Sequence, residues 1–134
     1  MTICYIGIGS NLGDRQKYIN GAIEELKKID KVKMRRSSSI YETEPVSDIP
    51  QGNFLNGVLE IETDLAPKAL LEALNKIEKK LGRVRGMKNT ARTMDLDILY
   101  YGGEIINDKE LIVPHPEIHK REFVLKGLRE LGKI

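Results

Sequence analysis

Residues 95–101 read DLDILYY, an apolar and aromatic run that is interrupted by two aspartates. Such a run predicts a β-strand. Side chains at positions i and i+2 of a strand emerge on the same face, so Asp95 and Asp97 point one way while Leu96 and Ile98 point the other. Two carboxylates on an apolar strand are costly to bury unless a cation meets them. The stretch therefore predicts a sheet strand with an acidic functional face.

Strands and helices alternate on the N-terminal side of this run. We expect a strand over 2–8, a helix from an N-cap at Asp14 to about Ile29, a strand over 32–41, a strand over 55–63, and a helix from Pro67 to a glycine stop at Gly82. After residue 101 we expect a short hairpin, then a helix over about 116–131 that buries Phe123, Val124, Leu128 and Leu131. The order β-α-β-β-α-β predicts an α+β, ferredoxin-like sandwich with an antiparallel sheet and helices on one face, plus a C-terminal helix.

Length and composition indicate one domain, over residues 1–134. Hydrophobic residues make up 40% and charged residues 31%, which is typical of globular proteins. The single cysteine, Cys4, lies in an apolar run and excludes a disulfide framework. No stretch has the roughly 20 apolar residues of a membrane span, and the N-terminus lacks signal-peptide features. We therefore expect a soluble, cytoplasmic protein that does not bind membranes.

Basic residues are concentrated immediately before the two aspartates. Six of them lie between Lys79 and Met94, where no acidic residue occurs: Lys79, Lys80, Arg83, Arg85, Lys88 and Arg92. Arginine presents a fixed fork of donors that matches phosphate oxygens, and Mg²⁺ binds through a few carboxylates together with waters and phosphates. Cations beside paired carboxylates therefore indicate a site for phosphates and metal, although ion pairing between the two groups alone remains an alternative.

Glycines near the N-terminus do not form a known nucleotide motif. Gly7, Gly9 and Gly13 miss the dinucleotide spacing by one position, and no P-loop sequence occurs anywhere in the chain. We interpret the stretch from Gly9 to Gly13 as a tight turn that follows the first strand. Of the two histidines, we expect His119 on a solvated helix, whereas His115 is held between two prolines, which restricts the direction of its ring.

Separated pieces of the chain, taken together, resemble the 6-hydroxymethyl-7,8-dihydropterin pyrophosphokinases of folate biosynthesis. The matching pieces lie at 8–12, 38–45, 54–56, 77–78, 82–85, 92–98, 113–116 and 121–123. They occur in the family's order over nearly the whole chain, and the run RTMDLDI with VPH downstream is highly specific. The resemblance implies transfer of diphosphate from ATP to the pterin hydroxymethyl group, with release of AMP, on a ferredoxin-like fold.

The same resemblance implies a set of phosphate-handling residues. Asp95 and Asp97 are expected to hold two Mg²⁺ ions that bind with ATP, and Arg83 and Arg92 to stabilise the diphosphate in transfer. Matches to the family's ATP site are Glu78, Arg85, Lys88, Ile98, His115 and Arg121.

The implied pterin site has two aromatic faces and a polar edge. The heterocycle is expected between the rings of Phe54 and Phe123, with Asn56 and Thr43 reading its polar edge. Backbone groups near Glu44 and Val46 complete the set. A flat ring with polar edges suits two aromatic faces and a few matched donors and acceptors.

The chain departs from the family pattern at several positions. The loop 86–91 is short and carries Asn89 where a tryptophan is familiar, Glu110 and Ile112 stand where arginine and threonine ATP contacts are found, Phe54 replaces a tyrosine, and the C-terminus is trimmed. These departures predict that the ATP site uses other contacts and that the loop 86–91 closes over the site differently.

Three other functions are weighed against this one. A ferredoxin-like RNA-binding module would use the basic run on phosphates, but the aromatic pattern of such modules is not found. A different two-metal enzyme, such as a nucleotidyl transferase, would release pyrophosphate instead of AMP. A catalytically dead relative would be expected to have lost metal or arginine positions, which are all present. We expect a monomer that binds ATP and the pterin and does not bind nucleic acid.

Overall fold

The computed structural model describes residues 1–44, 51–82 and 93–134. Within these ranges seven strands lie in chain order: β1 (Thr2–Ser10), β2 (Val32–Ser37), β3 (Tyr41–Thr43), β4 (Phe54–Thr63), β5 (Asp95–Tyr101), β6 (Ile106–Asn107) and β7 (Ile112–Val113). The described part of the chain also has three α-helices, α1 (Arg15–Lys27), α2 (Pro67–Lys80) and α3 (Glu122–Glu130), and a 3₁₀ turn over Ile118–Lys120 precedes α3. No described helix is both long enough and apolar enough to span a bilayer.

Five strands form one antiparallel sheet in the order β2-β4-β1-β5, and β3 also pairs with β4. Strands β6 and β7 form a separate hairpin. The chain order β1-α1-β2-β4-α2-β5 confirms the predicted α+β, ferredoxin-like plan. At the β1–β5 pair, Tyr5 lies opposite Tyr100 and Ile6 opposite Ile98, so Leu99 is an extra, bulged residue in β5.

The strand predicted over 32–41 is two strands, β2 and β3. The break follows from Ser38, whose hydroxyl accepts a hydrogen bond from the backbone N–H of Val58 at 2.9 Å. The backbone N–H of Ser38 donates to the Val58 carbonyl at 2.8 Å. A side-chain oxygen thus takes a place that a backbone carbonyl holds in a regular ladder, and the strand is interrupted there.

Helices α1 and α2 cover one face of the sheet, as predicted. The Asp14 carboxylate accepts a hydrogen bond from the Lys17 backbone N–H, which confirms Asp14 as the N-cap of α1. Gly82 ends α2 with a φ of +88°, a conformation that favours glycine. The core between helices and sheet is built from Cys4, Ile6 and Ile8 of β1 and from aliphatic side chains that include Leu26, Leu59, Leu74 and Ile98.

Helix α3 covers the opposite face, where Tyr5, Val58 and Leu99 form a smaller core with Val124 and Leu128. This helix is shorter than the predicted 116–131. The chain makes a 3₁₀ turn first, and Arg121 then adopts an extended conformation (φ −117°, ψ 103°), so a regular helix begins only at Glu122. The N-terminal end of α3 therefore lies beside the acidic face of β5.

Candidate functional site

The sheet face that α3 only partly covers forms a shallow cleft, to which several predicted site residues contribute. Its lining comes from β1, β4, β5 and the start of α3: Gly7, Ile8, Gly9, Asn56, Gly57, Asp95, Asp97, Leu99, Arg121, Phe123 and Val124. Odd-numbered residues of β1 point to this face, so two glycines form its floor. The structure thus brings predicted metal, ATP and pterin residues into one cleft.

Asp95 and Asp97 share this face, as the strand alternation predicted. Their Cα partners across the β1–β5 pair are Gly9 and Gly7. Because glycine has no side chain, the side chains of Leu99 and Asn56 can lie over Gly7 and Gly9, beside the carboxylates. Both carboxylates line the cleft, and the Asp97 side chain is about one-third exposed.

Among the described residues, two basic side chains flank Asp97. His115 Nε2 lies 3.9 Å from one carboxylate oxygen and Arg121 Nη1 lies 3.9 Å from the other. The His115 backbone N–H donates to the carbonyl of the bulged residue Leu99 at 3.0 Å, which fixes the histidine next to β5. The bulge in this strand therefore helps to place a basic residue beside the carboxylates.

The His115 ring has a defined hydrogen-bonding state. Its Nδ1 accepts a hydrogen bond from the backbone N–H of Glu117 at 3.1 Å, so in the neutral ring the proton is on Nε2. Burial lowers the pKa of His115 below its ordinary value, and the positive charge of Arg121 lowers it further, while Glu117 and Asp95 oppose the shift. The Nε2–H of the neutral ring therefore faces Asp97 across 3.9 Å.

The predicted pterin residues meet at the β1–β4–β3 end of the cleft. The Asn56 amide donates a hydrogen bond to the Thr43 hydroxyl at 2.6 Å, and Gly9 is the Cα partner of Asn56. A Cβ added to Gly9 would lie 2.5 Å from Asn56 Oδ1 and 3.5 Å from the Phe54 ring. Only glycine at position 9 leaves room for the Asn56 amide in its present position.

The two predicted stacking rings approach the cleft from different elements. Phe54 is at the start of β4 beside Gly9, whereas Phe123 is in the first turn of α3 and lines the cleft. Both rings are partly exposed. Glu44 directly follows β3 and is exposed.

Two predicted ATP residues have their side chains outside this cleft. Ile98 is 2% exposed, and its side chain lies in the core under α1 and α2. Glu78 is buried on α2, and its carboxylate accepts a hydrogen bond from the Leu96 backbone N–H at 2.8 Å. Any nucleotide contact by Ile98 must therefore use its backbone, and Glu78 supports the strand that carries the aspartates.

Other predicted site residues lie outside the described residues. These are Val46 in the pterin set, and Arg83, Arg85, Lys88 and Arg92 in the phosphate set. Asn89 and the rest of the short loop 86–91 also lie outside the described residues. For these residues the predictions stay predictions.

The donor set of the cleft fits magnesium. Asp95 and Asp97 supply two hard oxygen ligands on an open, partly solvated face, and Mg²⁺ is held in proteins by one or two carboxylates together with waters and substrate phosphates. Within residues 1–44, 51–82 and 93–134, no three acidic, histidine or cysteine side chains form a metal-binding group. The two aspartates therefore suit an ion that binds together with a phosphate ligand.

The sequence interpretation missed residues that build the cleft. Gly7 was predicted in the first strand and Gly9 in the turn after it, but β1 continues through Ser10, so both glycines are strand residues. Their spacing of two, in register with an apolar alternation, was the signal that they share a sheet face. Asn11 was also missed. Its amide donates to Gln51 Oε1 at 2.7 Å and to the Gly52 carbonyl at 3.0 Å, next to Phe54.

Comparisons with known proteins agree on one family. Residues 5–133 match the family model for 7,8-dihydro-6-hydroxymethylpterin-pyrophosphokinase (HPPK). The chain is 46% identical over 129 residues to the 2-amino-4-hydroxy-6-hydroxymethyldihydropteridine pyrophosphokinase of Bacillus subtilis, covering 96% of this chain and 77% of that one. It is 43% identical over 131 residues to the Aquifex aeolicus protein of the same name, covering 98% and 81%.

The fold is also similar to a solved structure. A chain from a crystal structure of HPPK-DHPS in complex with substrates superimposes with a TM-score of 0.71 at 17% sequence identity. The match covers 97% of this chain and 40% of that chain. At this identity the likeness concerns the fold alone.

Proposed function

Because the chain belongs to the 7,8-dihydro-6-hydroxymethylpterin-pyrophosphokinase family of folate biosynthesis, we propose that it transfers diphosphate from ATP to the hydroxymethyl oxygen of 6-hydroxymethyl-7,8-dihydropterin. The chain is thus an ATP-dependent diphosphokinase, and AMP is the second product. We treat residues 1–134 as a single catalytic domain. We further propose that it acts in the cytoplasm as a monomer, without nucleic acid or membrane partners.

One observation carries this proposal. Asp95 and Asp97 project from one face of β5 beside His115 and Arg121, and the same cleft reaches Asn56 on β4. Groups suited to phosphate and metal are thus joined to a groove suited to a flat polar ring. Phosphoryl transfer needs mainly positioning and charge stabilisation, which this arrangement supplies without a covalent intermediate.

For the metal, we propose that Asp95 and Asp97 hold two Mg²⁺ ions that arrive with ATP. When bound, the ions neutralise phosphate charge and polarise the phosphorus that is attacked. Asp95 and Asp97 would hold these ions, and through them the ATP phosphates, beside Gly7 and Gly9. Arg121 contributes a permanent positive charge from the opposite wall.

Several residues are assigned to ATP. His115 is better suited to donate a hydrogen bond to a phosphate oxygen than to act as a general base. Its Nδ1 already accepts the Glu117 N–H, and its lowered pKa favours the neutral ring. We assign Arg83 and Arg92 to the diphosphate in transfer. The remaining ATP assignments are Glu78, Arg85, Lys88 and Ile98.

For the pterin, we propose that its ring lies between Phe54 and Phe123. The Asn56 amide, oriented by Thr43, reads its polar edge, together with backbone groups near Glu44 and Val46. This pose directs the hydroxymethyl group toward the aspartates, since Asn56 and Asp95 both neighbour Gly9 across the sheet. The hydroxymethyl oxygen then attacks the β-phosphorus in line, the bond to the α-phosphate oxygen breaks, and AMP leaves.

The test is AMP release from ATP and Mg²⁺, measured with and without the pterin in the wild type and in two matched variants. Asp97→Asn removes a cleft carboxylate, whereas Asp30→Asn removes an exposed one after α1. We expect pterin-dependent AMP in the wild type and Asp30→Asn, and a loss of at least about 100-fold in Asp97→Asn. Pyrophosphate as the product would instead indicate a nucleotidyl transferase, and absence of pterin-dependent AMP from folded protein would overturn the proposal.

A further inference from the structure

A cluster of polar contacts outside the cleft joins the end of α3 to β3. The Glu130 carboxylate accepts hydrogen bonds from the Ser39 backbone N–H at 2.9 Å, from the Ser39 hydroxyl at 2.7 Å and from the Tyr41 hydroxyl. Lys126 Nζ lies 4.6 Å from the centre of the Tyr41 ring. Three donors on one carboxylate define a directional contact, because hydrogen bonds to an ionised acceptor are stronger than neutral ones.

The two elements that this cluster joins carry opposite walls of the cleft. Strand β3 holds Thr43, and Tyr41 is the Cα partner of Asn56 across the β3–β4 pair. Helix α3 holds Phe123 in its first turn. The contact between Tyr41 and Glu130 therefore connects the strand that carries Thr43, at the polar edge of the proposed pterin site, with the helix that carries Phe123.

Because Glu130 and Phe123 lie on the same face of α3, the position of Glu130 helps to determine the position of Phe123. Residues 123, 127 and 130 are spaced i, i+4 and i+7, so they share one face of α3. At the middle of this face, a Cβ on Gly127 would lie 2.6 Å from Val58 Cγ2, which means that the helix already touches the sheet there. Gly127, with the buried Val124 and Leu128, holds the middle of the helix against the sheet, and Glu130 fixes its C-terminal end to Ser39 and Tyr41.

We propose that Tyr41 and Glu130 are positioning residues that hold Phe123 at the distance from β4 that a pterin ring requires. The inference rests on the proposed placement of the pterin between Phe54 and Phe123. Arg121, the N-cap of α3, is in addition tied to the preceding 3₁₀ turn, because its backbone N–H donates to the carbonyl of Ile118. Disturbing the Tyr41–Glu130 contact should therefore affect pterin binding more than ATP binding.

The kinetic experiment compares Glu130→Ala, Glu130→Gln, Tyr41→Phe and the control Glu122→Gln, which changes an exposed acid on the same helix. We expect Glu130→Ala and Tyr41→Phe to raise the KM for the pterin about fivefold and to leave the KM for ATP within about twofold. Glu130→Gln keeps an acceptor and should restore most of the pterin affinity. Equal increases in both KM values, or an unchanged pterin KM in folded Glu130→Ala, would contradict the proposal.

A second measurement does not depend on activity. The chain has two phenylalanines, so protein labelled with 4-fluorophenylalanine gives one ¹⁹F resonance from Phe54 and one from Phe123, which a Phe54→Leu variant assigns. We expect Glu130→Ala to shift or broaden the Phe123 resonance, and Glu122→Gln to leave it unchanged. An unmoved Phe123 resonance overturns the positioning role. A moved resonance in a protein that makes no pterin-dependent AMP supports the positioning role and rejects the proposed function.

Discussion

The carboxylate of Glu78 accepts the backbone N–H of Leu96 at 2.8 Å, across the contact between α2 and β5. In the described sheet β5 is a terminal strand, so the N–H groups on its outer edge have no neighbouring strand to pair with. Glu78 supplies the missing acceptor for Leu96, the residue between the two aspartates. The buried Glu78 side chain thereby stabilises the strand segment that carries Asp95 and Asp97.

Replacing Glu78 by alanine should destabilise the protein and disturb the aspartates. The change leaves a buried N–H without its acceptor, which typically costs about 1–3 kcal/mol in the free energy of unfolding. Glu78→Gln keeps an acceptor oxygen, so we expect nearly native stability. Urea denaturation followed by circular dichroism measures the difference between the two variants.

The same pair of variants tests whether Glu78 also contacts ATP. If the residue acts only through Leu96, Glu78→Gln retains the KM for ATP as well as the stability. A stable Glu78→Gln protein with a much higher KM for ATP would show that the negative charge itself is used in nucleotide binding.

Gly9→Ala should selectively impair pterin binding. The added Cβ would lie 2.5 Å from Asn56 Oδ1, so the amide must leave its position beside Thr43. We expect the KM for the pterin to rise at least about tenfold, with a smaller change for ATP, measured by steady-state AMP release. Gly103→Ala is the matched control, because a Cβ there meets nothing within 4 Å. Equal behaviour of the two variants would contradict the assignment of Asn56 to the pterin.

The acidic face and the helix order were predictable because they depend on local periodicity. Alternation along 95–101 was enough to place Asp95 and Asp97 together, and the cap at Asp14 was visible in the sequence. The bulge at Leu99 and the break at Ser38 were not predictable, since each depends on which groups of a distant strand are nearby. Nor did the sequence reveal that the Glu78 side chain faces β5.

Glu60 should make stability depend on acid pH. Its carboxylate is 3% exposed, accepts hydrogen bonds from Arg36, Arg35 and Tyr5, and has its pKa lowered from 4.5 to about 2, with the Arg36 hydrogen bond as the largest cause. A lowered folded pKa means that the unfolded chain takes up the proton first on acidification. The stability due to Glu60 is therefore complete above pH 4.5 and is lost as the pH falls through about 2.

Comparison of wild type with Glu60→Gln measures this contribution. We expect the variant to be less stable by about 2 kcal/mol at pH 7, and the two proteins to converge as the pH approaches 2. Glu62→Gln on the same strand, whose carboxylate contacts only one of these arginines in the described ion pairs, should show a smaller difference. A Glu60→Gln deficit that persists unchanged down to pH 2 would argue for a packing effect instead of a charge effect.

The ionisation of His115 should report directly on Arg121. Burial lowers the pKa of His115 from its ordinary 6.5, and the guanidinium of Arg121 adds to that shift. In a pH titration followed by ¹H–¹⁵N NMR, we expect a His115 midpoint below 6.5 and a proton on Nε2 in the neutral ring, because Nδ1 accepts the Glu117 N–H. Arg121→Gln should move the midpoint upward, since a positive charge no longer opposes protonation.

The control for this titration is Arg129→Gln, which removes a charge from the exposed side of α3, where Arg129 faces Glu122. It should leave the His115 midpoint unchanged. Because the folded pKa is lowered, the unfolded chain binds a proton at His115 first as the pH falls through 6.5, so this residue makes the folded state less stable toward acid. An Arg121→Gln midpoint equal to or below that of the wild type would mean that Arg121 does not face the ring in solution, which would contradict its proposed place in the phosphate site.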